Sequence, residues 1–148
     1  MDLFNLEFAR SKRYGLDLSL IIMDIDNFKH INDTYGHLMG DKVLREISAI
    51  IKTAIRTNDT FARYGGEEFV LMLPQTNLEG SLQVAEKIRQ KIEEKAFEGP
   101  GRITLSLGAA SYPSKPIEDQ EALIKAADNA LYEAKRRGKN CVVAAEKQ

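Results

Sequence analysis

Two strand-like runs, residues 60–64 and 67–73, meet at Gly65-Gly66 with no helical segment between them. A two-glycine junction of this kind marks a hairpin, because glycine accepts the positive φ of tight hairpin turns. Elsewhere apolar strands are separated by segments of helical period. Leu18 to Ile25 is apolar and β-branched, bounded by Gly15 and Asn27, and reads as a strand. Ahead of it, Leu3, Leu6 and Phe8 among charges predict a short amphipathic helix over 3–14. Behind it, helices are predicted over 27–35 and 41–55. The second rests on Val43, Leu44, Ile47, Ile50, Ile51 and Ala54 at helical spacing, with Asp41 as the start signal. After the hairpin, Leu78 to Lys95 is a helix behind an Asn77 N-cap. Arg102 to Ser111 alternates and predicts a half-buried strand. Residues 118–137 form a last helix, ended by Gly138, and Cys141 to Ala144 is a closing strand.

The order β-α-α-β-β-α-β-α-β contains a βαββαβ unit, the ferredoxin-like motif. The expected class is α+β: a ferredoxin-like βαββαβ core with an extra helix and a C-terminal strand, its helices on one face of a sheet that contains antiparallel pairs. The 148 residues suffice for one domain with a sizeable core. Such a fold hosts many functions, so function must come from particular residues.

Several classes are excluded. Cys141 is the single cysteine, so neither an intrachain disulfide nor a cysteine metal cluster can form, and a reducing compartment is expected. The longest apolar runs, such as Leu20-Ile21-Ile22-Met23, are too short to span a membrane, and no signal peptide is legible. With 21 Lys plus Arg against 22 Asp plus Glu, the net charge is −1. A general nucleic-acid binder would carry a basic excess. A small phosphorylated ligand needs only a local site.

Four constellations could supply one. Asp24-Ile25-Asp26 ends the first strand, whose period of two puts both carboxylates on one face. Two carboxylates leaving a buried strand call for a hard cation such as Mg²⁺ between them, or else for the role of caps to the next helix. Arg63-Tyr64-Gly65-Gly66-Glu67-Glu68-Phe69 puts two acids directly after glycines that admit a phosphate. Its alternative is a plain hairpin with solvated glutamates. If the first strand and the hairpin are neighbours, acids from both could hold one or two metals for phosphoryl transfer. Asn32 to Asp41 is a polar, glycine-punctuated link whose Asn and Asp suit the donor edge of a guanine, or simply a capped helical corner. Lys135-Arg136-Arg137-Gly138-Lys139-Asn140 opposes a helix dipole, or clamps a triphosphate.

Together these pieces resemble the GGDEF domain of bacterial diguanylate cyclases. The resemblance runs from about Phe8 to about Val143. It rests on Gly65-Gly66-Glu67-Glu68-Phe69, on Asp24 through Asp41 as D-x-D-x-F-K-x-x-N-D-x-x-G-H-x-x-G-D, on Thr104 to Ala110, and on Ala127 to Lys135 followed by Gly138-Lys139-Asn140. It implies a nucleotide-cyclase, palm-like core and the condensation of two GTP into cyclic di-GMP with release of two pyrophosphates, one GTP held by each subunit of a transient homodimer. It further implies Mg²⁺, with Mn²⁺ as the alternative ion, on Asp24, the Ile25 carbonyl and Glu67. Glu67 serves as base as well as ligand, with Glu68 in support. Asn32 and Asp41 read guanine with His37 close by, and Asp41 favours guanine at both positions. Phe28, Lys29, Gly65, Gly66, Lys135 and Lys139 contact the nucleotide.

Arg56-Thr57-Asn58-Asp59, with five residues between Asp59 and Gly65, resembles the family's RxxD site for inhibitory product, with Lys87 or Arg89 completing it from the partner subunit. The alternative is a solvated turn. The opening Met1-Asp2-Leu3-Phe4-Asn5 lacks the family's usual D-x-L-T-G-L-x-N-R-R segment. The expectation is therefore an excised catalytic domain spanning 1–148, without its upstream sensor domain, from the cytoplasmic part of a larger bacterial protein, with no nucleic-acid or direct membrane contact. A second expectation is a catalytically silent domain that only binds cyclic di-GMP through Arg56 and Asp59.

Overall fold

The computed structural model describes residues 2–114 and 117–145. The elements are α1 (Asp2–Tyr14), β1 (Leu18–Ile25), α2 (Phe28–Tyr35), α3 (His37–Thr53), β2 (Thr60–Tyr64), β3 (Glu68–Pro74), α4 (Leu78–Glu94), β4 (Leu105–Tyr112), α5 (Gln120–Arg136) and β5 (Val142–Ala144). The five strands form one sheet in the order β2-β3-β1-β4-β5. The pairs β2–β3, β3–β1 and β1–β4 are antiparallel. β4–β5 is parallel. The first four strands are the ferredoxin-like core, and α5 with β5 extends it.

Helices cover both faces of this sheet, not one. On one face Ile21, Met23 and Ile25 of β1 pack with Phe69, Leu71 and Leu73 of β3 against α2, α3 and α4 through Phe28, Val43, Ile47, Ala85 and Ile88. On the other, Leu18, Leu20, Ile22, Val70 and Met72 meet Phe4 and Phe8 of α1 and Leu123, Ala127 and Leu131 of α5. The strands are apolar on alternate and intervening positions alike, which is the pattern of strands buried on two sides. For the same reason β4 is buried over its first six residues instead of half-buried. Gly108 lets α5 lie on it closely: a Cβ there would stand 2.2 Å from the Leu131 nitrogen and 2.4 Å from the Ala127 oxygen.

Several boundaries differ from the sequence reading, α5 running only over Gln120–Arg136 and α3 ending at Thr53, and three starts bear on the site. α3 begins at His37, four residues before Asp41. Gly36, at φ 90 and ψ 163, turns the chain between α2 and α3, so Asp41 lies inside the first turns of the helix instead of starting it. Gly40 weakens the local helical signal, yet it is needed there: a Cβ would lie 1.8 Å from Asn32 Oδ1. β3 begins at Glu68, leaving Gly65-Gly66-Glu67 as the hairpin turn. β4 begins at Leu105, after residues 102–104. The Asn77 N-cap of α4 is as expected, its side chain accepting from the Gly80 N–H.

Candidate functional site

β1 carries Asp24 to the end of the sheet, where it stands directly opposite Glu68 of β3 and Ser106 of β4. Directly opposed residues project from the same face, here the face covered by α5. Glu67 joins them from the hairpin turn, its carbonyl accepting from the Ile25 N–H at 3.3 Å. The sheet thus brings together acids more than 40 residues apart in sequence. Burial pushes the Asp24 carboxyl up, with Lys135 opposing and Asp26 adding to the rise. Burial also pushes up Glu67, and Asp24 adds to it. Glu68 is raised by burial, then by Asp24, Asp128 and Glu67.

Lys135 of α5 is the cation facing this cluster. Its Nζ lies 3.3 Å from Asp24 Oδ1 and 2.9 Å from Asp26 Oδ1. Asp24 Oδ1 is nevertheless buried without an aligned hydrogen bond. A buried carboxylate oxygen with an ion-pair contact but no aligned hydrogen bond, among acids whose ionisation is opposed, is a donor suited to a hard divalent cation. Among the described residues no three acidic, histidine or cysteine side chains converge closely enough to enclose an ion alone. Such an ion would take its remaining ligands from main chain, water or phosphate, which is the habit of Mg²⁺.

Asp26 does not share this exposure. It is 4% exposed and accepts from Thr104 Oγ1 (2.7 Å), Ser106 Oγ (2.6 Å), Lys135 Nζ (2.9 Å) and the Asn140 N–H (3.0 Å). Neither aspartate caps α2, whose N-cap position is Asn27 at φ 58 with no side-chain cap bond. The signal for Asp26 lay in Thr104 and Ser106, two hydroxyl residues at period two.

The cations differ in setting. Lys139, itself at φ 69, donates to Asn27 Oδ1 at 2.7 Å. Lys29 is exposed and paired with Asp33 at 2.8 Å. The Phe28 ring is buried in the core, so only its main chain, in the first turn of α2, can face a nucleotide. Gly65 (φ +71) and Gly66 have nothing within 4 Å of a would-be Cβ. The Gly66 carbonyl is gripped by Arg63 Nε and Nη2 at 3.0 and 2.7 Å, a closure of the hairpin not read from the sequence. At the α2–α3 corner, Asn32 Oδ1 is buried and unpartnered and sits against Gly40. His37 and Asp41 are exposed on the first turns of α3.

Arg56 and Asp59 lie at the other end of the sheet. Arg56 Nη2 donates to the Pro74 carbonyl (3.2 Å) and Thr76 Oγ1 (2.6 Å), and Pro74 pairs with Leu18, at the start of β1. Asp24 is six residues further along, roughly 20 Å at strand rise. Asp59, its side chain 2% exposed, accepts from the Arg56 N–H at 2.8 Å. Beside them runs a groove lined by Thr76, Asn77, Gly80 and Val84. Lys87 follows Gly80 and Val84 on that face of α4, one turn on. Arg89 is engaged within its own chain, bonded to Glu86 at 2.7 Å and Asn140 at 2.9 Å.

A ferredoxin-like sheet with a carboxylate cluster and flanking lysines at one end defines a class of α+β domain. The family model described as diguanylate cyclase, GGDEF domain, matches residues 2–141, and the chain belongs to that family. It is 48% identical over 128 residues to diguanylate cyclase A of Treponema denticola, covering 84% of this chain and 34% of the relative. It is 44% identical over 144 residues to diguanylate cyclase DosC of Escherichia coli, covering 95% of this chain and 31% of the relative. The chain thus spans about a third of the length of these curated relatives. Among solved structures, the active GGEEF domain of a diguanylate cyclase from Vibrio cholerae superposes with TM-score 0.94 at 37% identity, over 99% of this chain and 94% of that one. The GGDEF domain of DgcB from Caulobacter crescentus, in complex with c-di-GMP, gives 0.92 at 36% identity, over 99% and 88%. No helix among the described residues is long and apolar enough to cross a membrane.

Proposed function

We propose that this chain condenses two GTP molecules into cyclic di-GMP and two pyrophosphates. The observation that carries the reading is the crowding of Asp24, Glu67 and Glu68 at the sheet end, faced by Lys135. Mg²⁺ or Mn²⁺ on Asp24, Glu67 and the Ile25 main chain would supply charge neutralisation at the α-phosphate and ease loss of the hydroxyl proton. Glu67, in the hairpin turn beside Asp24, takes the 3′-hydroxyl proton of one GTP, with Glu68 in support. The 3′-oxygen attacks the α-phosphorus of the GTP on a second copy, a P–O bond forms, and pyrophosphate leaves. The reciprocal attack closes the ring. Lys135 and Lys139, with Lys29 and the main chain at Phe28, hold the phosphates, and the small Gly65-Gly66 turn admits them. Asn32 and Asp41, near His37, read guanine.

The two half-sites demand a homodimer. Product binds at Arg56 and Asp59 with Lys87 of a partner subunit, Arg89 being engaged by Glu86 and Asn140 within its own chain, and inhibits. The whole protein is a longer bacterial one whose upstream domain sets dimer formation, with this part in the cytoplasm. The test is pyrophosphate release from GTP with Mg²⁺ across a range of chain concentrations. A rate rising faster than linearly, and lost in Glu67→Gln, is expected. Release that is absent at every concentration, or unaffected by Glu67→Gln, would contradict the assignment.

A further inference from the structure

Three successive residues after α5 have left-handed backbone: Gly138 (φ 112), Lys139 (φ 69) and Asn140 (φ 49). Glycine adopts this conformation freely and asparagine tolerates it, but lysine does not. A strained segment persists only where its surroundings over-determine it. Here they do. The Lys139 N–H donates to the Ala134 carbonyl at 3.0 Å. The Asn140 N–H donates to Asp26 Oδ2 at 3.0 Å. Its side-chain oxygen accepts from Arg89 Nη1 at 2.9 Å, and its Nδ2 donates to Glu93. Asn140 is therefore held from the turn after β1 by its backbone and from α4 by its side chain, while the preceding Lys139 extends its ammonium to Asn27 at the mouth of α2.

We propose that Asn140, gripped by Asp26 and by the Arg89–Glu93 pair, is a positioning residue that fixes Lys139 for the nucleotide phosphates. Arg89 then serves the phosphate end of the molecule through α4 instead of the product groove. The inference rests on the reading that Lys139 binds phosphate.

The experiment is calorimetric binding, with Mg²⁺, of 3′-deoxy-GTP, which lacks the attacking hydroxyl, and of guanosine, which lacks the phosphates. Asn140→Ala is expected to weaken 3′-deoxy-GTP about tenfold, the loss of one charge-assisted contact, and to leave guanosine within about twofold. A merely structural role would weaken both. Lys139→Ala should show the same selective loss, and the double variant should be no worse than the more damaged single one. If Asn140→Ala does not fold, Arg89→Met, altered on a different element, carries the test with the same expected pattern. Additive losses, or a selective loss in Lys139→Ala with none in Asn140→Ala and Arg89→Met, would overturn the positioning role alone. Unchanged 3′-deoxy-GTP binding in Lys139→Ala would overturn the phosphate reading beneath it.

Discussion

Gly108→Ala probes the seat of α5, the helix that brings Lys135 to the acids. A Cβ at this position would stand 2.2 Å from the Leu131 nitrogen, 2.4 Å from the Ala127 oxygen and 2.8 Å from the Ala130 carbonyl carbon. All three are helix backbone, so no rotamer change relieves the clash. Reaching ordinary contact separation requires α5 to withdraw by roughly 1 Å. Leu123, Ala127, Ala130, Leu131 and Ala134 are all buried by this helix, and their contacts with the sheet loosen together. Overpacking in a well-packed core costs about 1–3 kcal/mol; with backbone on the receiving side the upper end applies. For a chain of this size that is a fall in Tm of about 6–12 °C. Lys135, now 2.9 and 3.3 Å from the two aspartates, moves with the helix, so synthesis falls as well. Thermal unfolding with Gly66→Ala as control is the assay, since a Cβ at Gly66 meets nothing within 4 Å. A Tm within about 2 °C of the parent for Gly108→Ala, less than 1 kcal/mol on the same scale, would refute the described packing of α5 on β4.

Glu67→Gln is expected to lower cyclic di-GMP synthesis by at least about 100-fold, the scale of a lost general base, with little change in Tm because the residue lies in a hairpin turn; product quantified by mass spectrometry checks it. Glu68→Gln should raise Tm at neutral pH. The native Glu68 carboxyl is raised above its ordinary value, so its ionised form opposes folding above the native pKa. That opposition fades as pH falls through the native value towards the ordinary one. The gain should shrink over that window and vanish below it, and a gain that grows as pH falls would contradict the assigned environment. Arg56→Ala should weaken cyclic di-GMP binding about tenfold by loss of a charged donor, and calorimetry showing equal affinity would remove Arg56 from the product site. Asp41→Ser should bring ATP binding closer to GTP binding, and an unchanged ratio in competition titrations would refute its role in reading guanine.

The hairpin, the N-cap at Asn77 and the run of elements were legible because each is a local signal: turn glycines, a capping side chain, an apolar period. The two-sided covering of the sheet was harder to see. Leu18-Ser19-Leu20-Ile21-Ile22-Met23 is apolar on both faces, and only the β1–β3 and β1–β4 registers show that each face has its own helices. The start of α3 was hidden by Gly40, whose poor helix propensity reads as a break while its missing side chain makes room for Asn32. Asp24, Glu67 and Glu68 stood out through the signature motif. Asp26 was read as the twin of Asp24, but its partners lie just before β4 and on it, on α5 and in the loop beyond, 78 to 114 residues away. The period-two hydroxyls of Thr104 and Ser106 mark two of the partners, but only the fold ties them to Asp26. Lys87 and Arg89 are two residues apart, and sequence alone could not choose between them. What separates them is packing: Arg89 is engaged by Glu86 and Asn140 of its own chain.

Both the synthesis and the guanine selection are tested by mass-spectrometric product analysis after incubation with an equimolar mixture of GTP and ATP and Mg²⁺. Cyclic di-GMP is expected as the dominant cyclic product, in amounts that rise with dimer formation. No cyclic dinucleotide at any chain concentration, or mixed adenine–guanine products in comparable yield, would contradict it.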